Sequence, residues 1–377
     1  MKKKLRLLLV ADTYYPKVDG TLKFLEEFIK RAARDFDISL LVPNLGMTKK
    51  IKGVENIMWI KPSKRLAVSG YPNLAFLVDN IKKIKEAVQG ADLVFVQGPA
   101  LISYFTMYYS KKMGKRTVFY VHTISWELFA KFFPKILSFF FLSLIKSISL
   151  SFYNKCDLVI VPYQGLKEQL EEEGVETNIA VARLGVDINR FSPVKDNGVW
   201  KDKFKIGKDK FVVGYVGRIS REKNTKVLLE AFKKLGNQDK LHLLMVGDGP
   251  KRIVRELEKL DNCTVTGFVN NVQDYLKAMD VFVMPSLTET TSLATLEAMS
   301  TGLPVIASRV GFIKNYIIRN HNGMFFPKES EMILAGKIDK LRKDIILREK
   351  LGSNARKTIA YSFSWERSIN RIKRILQ

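Results

Sequence analysis

Chemistry concentrates in one stretch, Val281 to Pro304. There a short apolar run leads into a turn of Ser286, Thr288, Glu289, Thr290, Thr291 and Ser292, and then into a helical pattern beginning at Thr290 or Thr291. The first amides of a helix lack intrahelical partners and, with the macrodipole, suit a bound anion such as a diphosphate. Thr290, Thr291 and Ser292 add short hydroxyl donors there, with Leu293 in the same turn. Glu289 stands just before the helix and Glu297 two turns further along. At that spacing one carboxylate reaches the sugar end of a nucleotide sugar and the other its ribose hydroxyls. Outside a strand-turn-helix setting, the same two glutamates would read as solvated surface residues.

Those side chains need a scaffold, and the chain spells one out twice. Leu5 to Ala11 is apolar, Asp12 to Gly20 is turn-rich, and Leu22, Leu25, Phe28, Ile29 and Ala32 fall on one helical face. Further aliphatic runs at Ile38 to Val42, Asp92 to Gln97, Thr117 to Val121 and Asp157 to Val161 alternate with helical segments such as Leu74 to Val88. This alternation predicts a parallel sheet covered on both faces. The pattern restarts at Phe211 to Gly217 and continues through Leu241 to Gly247, Cys263 to Thr266, Val281 to Pro285 and Pro304 to Ala307. Asp187 to Lys210, with Pro193, Gly198, Gly207 and clustered charges, marks the junction. The predicted class is therefore α/β with two doubly wound Rossmann-like domains, over 1–195 and 205–360. Ligands bind such sheets at the carboxyl ends of their strands, so a cleft between the domains is the predicted site.

A length of 377 residues suits two domains, and 46% hydrophobic with 27% charged residues is a globular composition. Lys and Arg outnumber Asp and Glu by 63 to 38, a net charge of +25. That excess attracts a polyanion, whether nucleic acid, an anionic lipid surface or a phosphorylated substrate, or else coats a solvated lysine-rich surface. No nucleic-acid recognition motif accompanies it, so nucleic acid is not an expected partner. Cys156 and Cys263 match no metal or disulfide spacing and suit a reducing cytoplasm. The segment Lys131 to Tyr153 is strongly apolar, but Lys135 and Lys146 interrupt it, and its uncharged stretch Ile136 to Ile145 is too short to span a bilayer. As a helix it puts Lys131, Lys135, Ser138, Lys146 and Ser149 in one polar stripe. It then lies either in a membrane interface with lysines toward head groups or as an internal helix on the first sheet. Asp35-Phe36-Asp37 has the form of a metal-binding Asp-x-Asp but sits at a turn away from the predicted site, so no metal site is expected.

Pro285-Ser286 before the first glutamate and Glu297-Ala298-Met299-Ser300-Thr301-Gly302-Leu303-Pro304-Val305-Ile306 after it resemble the Glu-x7-Glu motif of the family 4 retaining glycosyltransferases, which have the GT-B fold. The resemblance covers nearly the whole chain. Gly214 to Asn224 is similar to the family's loop at the start of the second domain, which implies that Arg218 and Lys223 contact the donor diphosphate. Two cations suit a leaving group that gains negative charge. Val246 to Pro250 resembles the exit loop of the family's second strand and Leu184 to Phe191 the segment entering the linker, and both read as structural turns. In the first loop, Ala11 to Thr21, the family's glycine that lets backbone approach the diphosphate falls on Gly20, whereas the neighbouring family residue is replaced by Thr21. His122, in Tyr120-Val121-His122-Thr123, matches a family histidine near the transferred sugar. The family's Gly-Gly after the Pro-Val-Ile strand is reduced to Val310-Gly311-Phe312, while Asn322-Gly323 matches a later turn. Phe363-Ser364-Trp365-Glu366 is similar to the closing motif before a final helix, 363–377, that crosses back to the first domain.

The resemblance implies transfer of a hexose from a nucleotide sugar, UDP-glucose first and GDP-mannose second. The nucleotide sugar is a co-substrate and no cofactor is required. Glu289 and His122 carry the catalytic roles. Gly20, Arg218, Lys223, Thr290, Thr291, Ser292, Leu293 and Glu297 bind donor. The basic first half, the Lys131 to Tyr153 segment and the Thr288-Glu289-Thr290 form of the motif resemble glycolipid-forming members. They point to a lipid acceptor and to a cytoplasmic enzyme peripheral on the inner face of the cell membrane. A soluble or polysaccharide acceptor is the alternative among enzymes, and a non-catalytic sugar-nucleotide or polyanion binder the alternative outside them.

Overall fold

The computed structural model describes residues 4–377 apart from Val18, Ser69, Gly70, Phe76, Pro99, Thr123, Ser125, 127–134 and Asn237. The chain divides into two compact units, Met1–Arg183 with Ser368–Gln377, and Leu184–Arg367.

In the first unit the strands are β1 Leu5–Val10, β2 Phe36–Pro43, β3 Asn56–Ile60, β4 Pro62–Val68, β5 Tyr71–Leu74, β6 Leu93–Val96, β7 Arg116–Tyr120, β8 Leu158–Val161 and β9 Ile179–Val181. Seven of them form a parallel sheet in the order β3-β2-β1-β6-β7-β8-β9, while β4 and β5 pair as an antiparallel hairpin. The central strands read as unbroken apolar runs because both faces are covered: Leu7 to Val10 and Val94 to Val96 are all essentially buried. The helix Gly20–Ala32 starts where Asp19 accepts from Leu22 N–H at 3.0 Å. It buries Leu22, Leu25, Phe28, Ile29 and Ala32, the predicted face, together with Phe24. Each large side chain so buried stabilises by about 1.5–3 kcal/mol.

In the second unit β10 Phe211–Val216, β11 Leu241–Val246, β12 Cys263–Val265, β13 Val281–Met284, β14 Val305–Ser308 and β15 Met324–Phe326 form a parallel sheet ordered β12-β11-β10-β13-β14-β15. Strand order reverses between β1 and β6 in one sheet and between β10 and β13 in the other. At such a reversal the loops leaving the two central strands diverge and open a crevice at their carboxyl ends.

The elements that composition did not announce are short and peripheral. Strand β3 is an edge strand with a mostly part-exposed pattern, and β9 and β15 have three residues each. The helix expected from Leu74 begins at Val78, because Leu74 ends β5 and the buried Asn80 ties the intervening chain by bonding Lys61 N–H, Lys61 C=O and Ala75 C=O.

The apolar segment forms a helix over Lys135–Tyr153, with Lys131 outside the described residues. Of the predicted polar stripe, Lys146 pairs with Glu173 and Ser149 is buried against the Tyr104 hydroxyl at 3.3 Å, whereas Ser143, Ser147 and Ser151 of the same helix are exposed. Phe152 and Tyr153 pack on Phe119 of β7, and the outward face carries Leu144 and Ile148, about half exposed. This is the internal-helix alternative for its carboxyl half. No described helix is long and apolar enough to cross a membrane.

The last helix, Trp365–Leu376, ends in the first unit, where Arg116 donates to Leu376 C=O at 2.8 Å and Lys373 to Asp35 at 2.8 Å. Asp37 faces Lys4 at 3.9 Å, so both carboxylates of the Asp-x-Asp triplet serve ion pairs. Cys156 is buried and Cys263 half-buried, both as free thiols.

Candidate active site

In the second unit the loops leaving the two central strands are tied together. Leu287 N–H, after β13, donates to Glu222 C=O, after β10, at 2.9 Å. Lys223 Nζ reaches Glu289 Oε1 at 2.6 Å, and Ser286 Oγ donates to the same oxygen at 2.8 Å. The glutamate side chain is 9% exposed and the lysine 19%. One cation assigned to diphosphate and the carboxylate assigned to sugar thus form a single ion pair. Arg218 extends toward solvent, 60% exposed, with Glu222 at 3.4 Å.

The Arg218 loop is seated by glycines. Gly217 and Gly247 have φ of +147° and +145°, and a Cβ on Gly247 would lie 2.0 Å from Gly217 C=O. Ile219 N–H donates to Asp248 C=O at 2.8 Å, which gives the turn Val246 to Pro250 its structural purpose.

The Glu289 loop is held from behind by Gly311. Its φ is +51°, and a Cβ there would fall 1.6 Å from Glu289 C=O. Phe312 N–H donates to Thr290 C=O at 2.8 Å and the Tyr316 hydroxyl to Thr291 C=O at 2.9 Å. The single glycine left of the expected Gly-Gly pair is therefore the one that the backbone requires. Tyr316 and Tyr215 are fully buried, and their phenols are pushed well up by burial first and then by the Glu289 charge.

The helix itself is Leu293–Ser300, two to three residues later than the sequence pattern suggests. Ser292 takes a left-handed conformation, φ +58°, which keeps Thr290 and Thr291 in the turn; its Oγ bonds Thr295 Oγ1 at 2.8 Å. Thr291 is 4% exposed and its hydroxyl is buried without a hydrogen-bond partner, a donor available at the helix start. Glu297 lies within the helix and is buried.

In the first unit Gly20 opens the helix that Asp19 caps. His122, two residues past β7, bonds Gln97 at 2.7 Å through Nε2, stacks on Tyr120 at 4.5 Å and meets the Phe24 edge at 5.1 Å. Burial pushes its pKa down to about 3. In the same unit, Asp12 accepts from Ala100 N–H and Ser103 Oγ, both at 2.8 Å, and so caps the helix Leu101–Lys112 from the loop after β1. Its carboxyl is pushed up by burial, and a Cβ on Gly98 would strike it at 2.4 Å. The sequence reading attached no role to Ser286, Tyr316, Asp12 or Gln97. Among the described residues no group of three or more His, Cys, Asp or Glu is gathered.

Two reversed parallel sheets, with a last helix returning to the first unit, define the GT-B fold. The pattern described as Glycosyl transferases group 1 matches residues 196–358, and that described as Glycosyltransferase Family 4 matches 18–190. The chain belongs to glycosyltransferase family 4. It is 24% identical to the alpha-monoglucosyldiacylglycerol synthase of Acholeplasma laidlawii over 87% of this chain and 86% of that one. To a GDP-mannose-dependent alpha-mannosyltransferase of Mycobacterium tuberculosis it is 23% identical over 85% and 84%. The fold of Anabaena HepE, solved with UDP-glucose, superposes with a TM-score of 0.80 at 18% identity, covering 99% of both chains.

Proposed function

We propose that this enzyme transfers a hexose from UDP-glucose, with GDP-mannose as second candidate, to a hydroxyl of a membrane lipid with retention of configuration. The observation that carries the donor half is the tethered Glu289, fixed by Lys223 and Ser286 beside the Leu293–Ser300 helix start. In this reading Arg218 and Lys223 take the diphosphate, with Thr290, Thr291, Ser292 and Leu293 around it and Glu297 on the ribose. In the first unit Gly20 and His122 serve diphosphate and sugar, and that unit receives the acceptor. The bond from the anomeric carbon to the phosphate oxygen breaks, and the acceptor oxygen bonds that carbon on the same face. The acceptor proton passes to the leaving phosphate. Glu289 orients the sugar and supports developing positive charge, so Glu289→Ala abolishes transfer while nucleotide still binds; near-normal turnover removes the assignment.

The net charge of +25, the outward Leu144 and Ile148 and the likeness to a diacylglycerol glucosyltransferase support the lipid acceptor. Likeness to a capsular polysaccharide glycosyltransferase of Staphylococcus aureus, 29% identical over 48% of this chain, keeps a polysaccharide acceptor as the second reading. A donor screen by nucleotide release, with and without total lipid extract, tests both halves. Lipid-dependent release with UDP-glucose supports the reading, and so does salt-sensitive binding to anionic liposomes. Release that responds only to soluble glycans overturns the acceptor.

A further inference from the structure

Gln97 follows β6 directly and is 1% exposed. Its backbone N–H is fixed by Val10 C=O at 2.8 Å. Its side-chain Oε1 lies 2.7 Å from His122 Nε2, while its own Nε2 is buried without a hydrogen-bond partner. The bond to the histidine is therefore the contact that aligns amide and ring. The imidazole is held between Tyr120 and Phe24 and is neutral, with burial as the cause and no charged side chain contributing. Its titratable neighbour, Tyr120, is buried with its hydroxyl donated to Ala182 C=O at 2.7 Å.

A neutral imidazole has one N–H, and a carbonyl oxygen at Nε2 requires the proton there. The other nitrogen, Nδ1, then carries a lone pair and bonds no described residue. We propose that Gln97 is a positioning residue that holds His122 as the Nε2–H tautomer, so that Nδ1 accepts a hydrogen bond from a hydroxyl of the transferred sugar. The inference rests on the reading that His122 faces that sugar. It gives the histidine a binding role, as an acceptor of fixed direction, in place of proton transfer.

The test combines tautomer and kinetics. The chain has three histidines, so ¹⁵N-histidine spectra at neutral pH are assignable by comparison with His122→Gln. The wild type is expected to show Nε2 protonated, and Gln97→Leu to shift the ring toward the Nδ1–H form. Loss of one such bond corresponds to about a tenfold fall in kcat/KM. Gln97→Glu keeps an acceptor at Nε2 but favours the doubly protonated ring, so its activity falls at acidic pH and recovers as pH rises, which guards against a folding defect in the leucine variant. A wild-type ring protonated at Nδ1, or Gln97→Leu with unchanged tautomer and kinetics, overturns the inference. A shifted tautomer in Gln97→Leu alongside wild-type kinetics in His122→Gln overturns instead the placement of His122 at the sugar.

Discussion

Replacing Lys223 by methionine keeps the aliphatic stem and removes the charge opposite Glu289. The carboxylate, 9% exposed, is then left with the Ser286 hydroxyl at 2.8 Å as its bonded partner. Removing one member of a fully buried pair costs about 3–5 kcal/mol; with a fifth of the lysine side chain in solvent, we expect about 2–3 kcal/mol. For a unit the size of Leu184–Arg367 this lowers Tm by about 5–10 °C. Glu289→Gln strands an ammonium that retains access to water and costs about 1 kcal/mol, and the double variant Lys223→Met/Glu289→Gln costs about the same, since no uncompensated charge remains. Thermal unfolding of the four proteins gives the coupling, and transfer kinetics should show turnover lost in each variant. Single effects that add up to the double within about 0.5 kcal/mol would refute the pairing.

Gly311→Ala places a methyl where Glu289 C=O stands, on a residue with φ +51°. The left-handed conformation alone costs about 1–2 kcal/mol, and displacement of the Glu289 loop should cut transfer at least about tenfold while circular dichroism stays native. Asp12→Ala removes the cap on the helix Leu101–Lys112, with an expected loss of about 2–3 kcal/mol in urea unfolding. Acid should destabilise the fold through two histidines, the buried His242 and the part-buried His122. Burial lowers His122 to about 3, and burial followed by Lys210 lowers His242 to about 4. The unfolded chain then binds protons from about pH 6.5 downward while the folded one does not, so each histidine removes up to about 1.4 kcal/mol per pH unit as pH falls toward 4. Asp12, raised by burial, opposes this trend near pH 4, and His242→Gln should flatten the slope in pH-dependent unfolding curves.

The central strands were legible because a strand covered on both faces must be apolar throughout, as Leu7 to Val10 and Val281 to Met284 are. Edge strands such as β3 lack that signal, since half of their residues face solvent. The turn before Leu293 misled the reading of the helix start because Thr290 and Thr291 have the chemistry of caps, yet the left-handed Ser292 postpones the helix. Glu289, Lys223 and Arg218 were visible through the motif, but their tethers were not. Whether Lys223 bonds Glu289, or Gly311 underlies its carbonyl, depends on which loops the strand order brings side by side. That information lies in the β10-β13-β14 adjacency, which no local window of sequence contains.

The two units meet the demands of one reaction with opposite electrostatics. In the second, a carboxylate and two cations gather on loops whose backbones are locked by Gly217, Gly247 and Gly311, so that, on the proposed reading, charge is fixed before a diphosphate arrives and little reorganisation accompanies its departure. In the first, the loops after β6 and β7 offer an amide and a neutral imidazole between aromatic rings, groups that hydrogen-bond hydroxyls without competing for the phosphates. If His122 faces the sugar as proposed, a charged side chain there would draw the leaving group away from Arg218 and Lys223. On the proposed reading a neutral ring leaves the cations that hold the anion to the second unit, with Gly20 contributing backbone alone. Exchanging the polarity should expose this division of charge: Gln97→Lys is expected to raise nucleotide affinity while lowering kcat, whereas an equal loss of both would refute it.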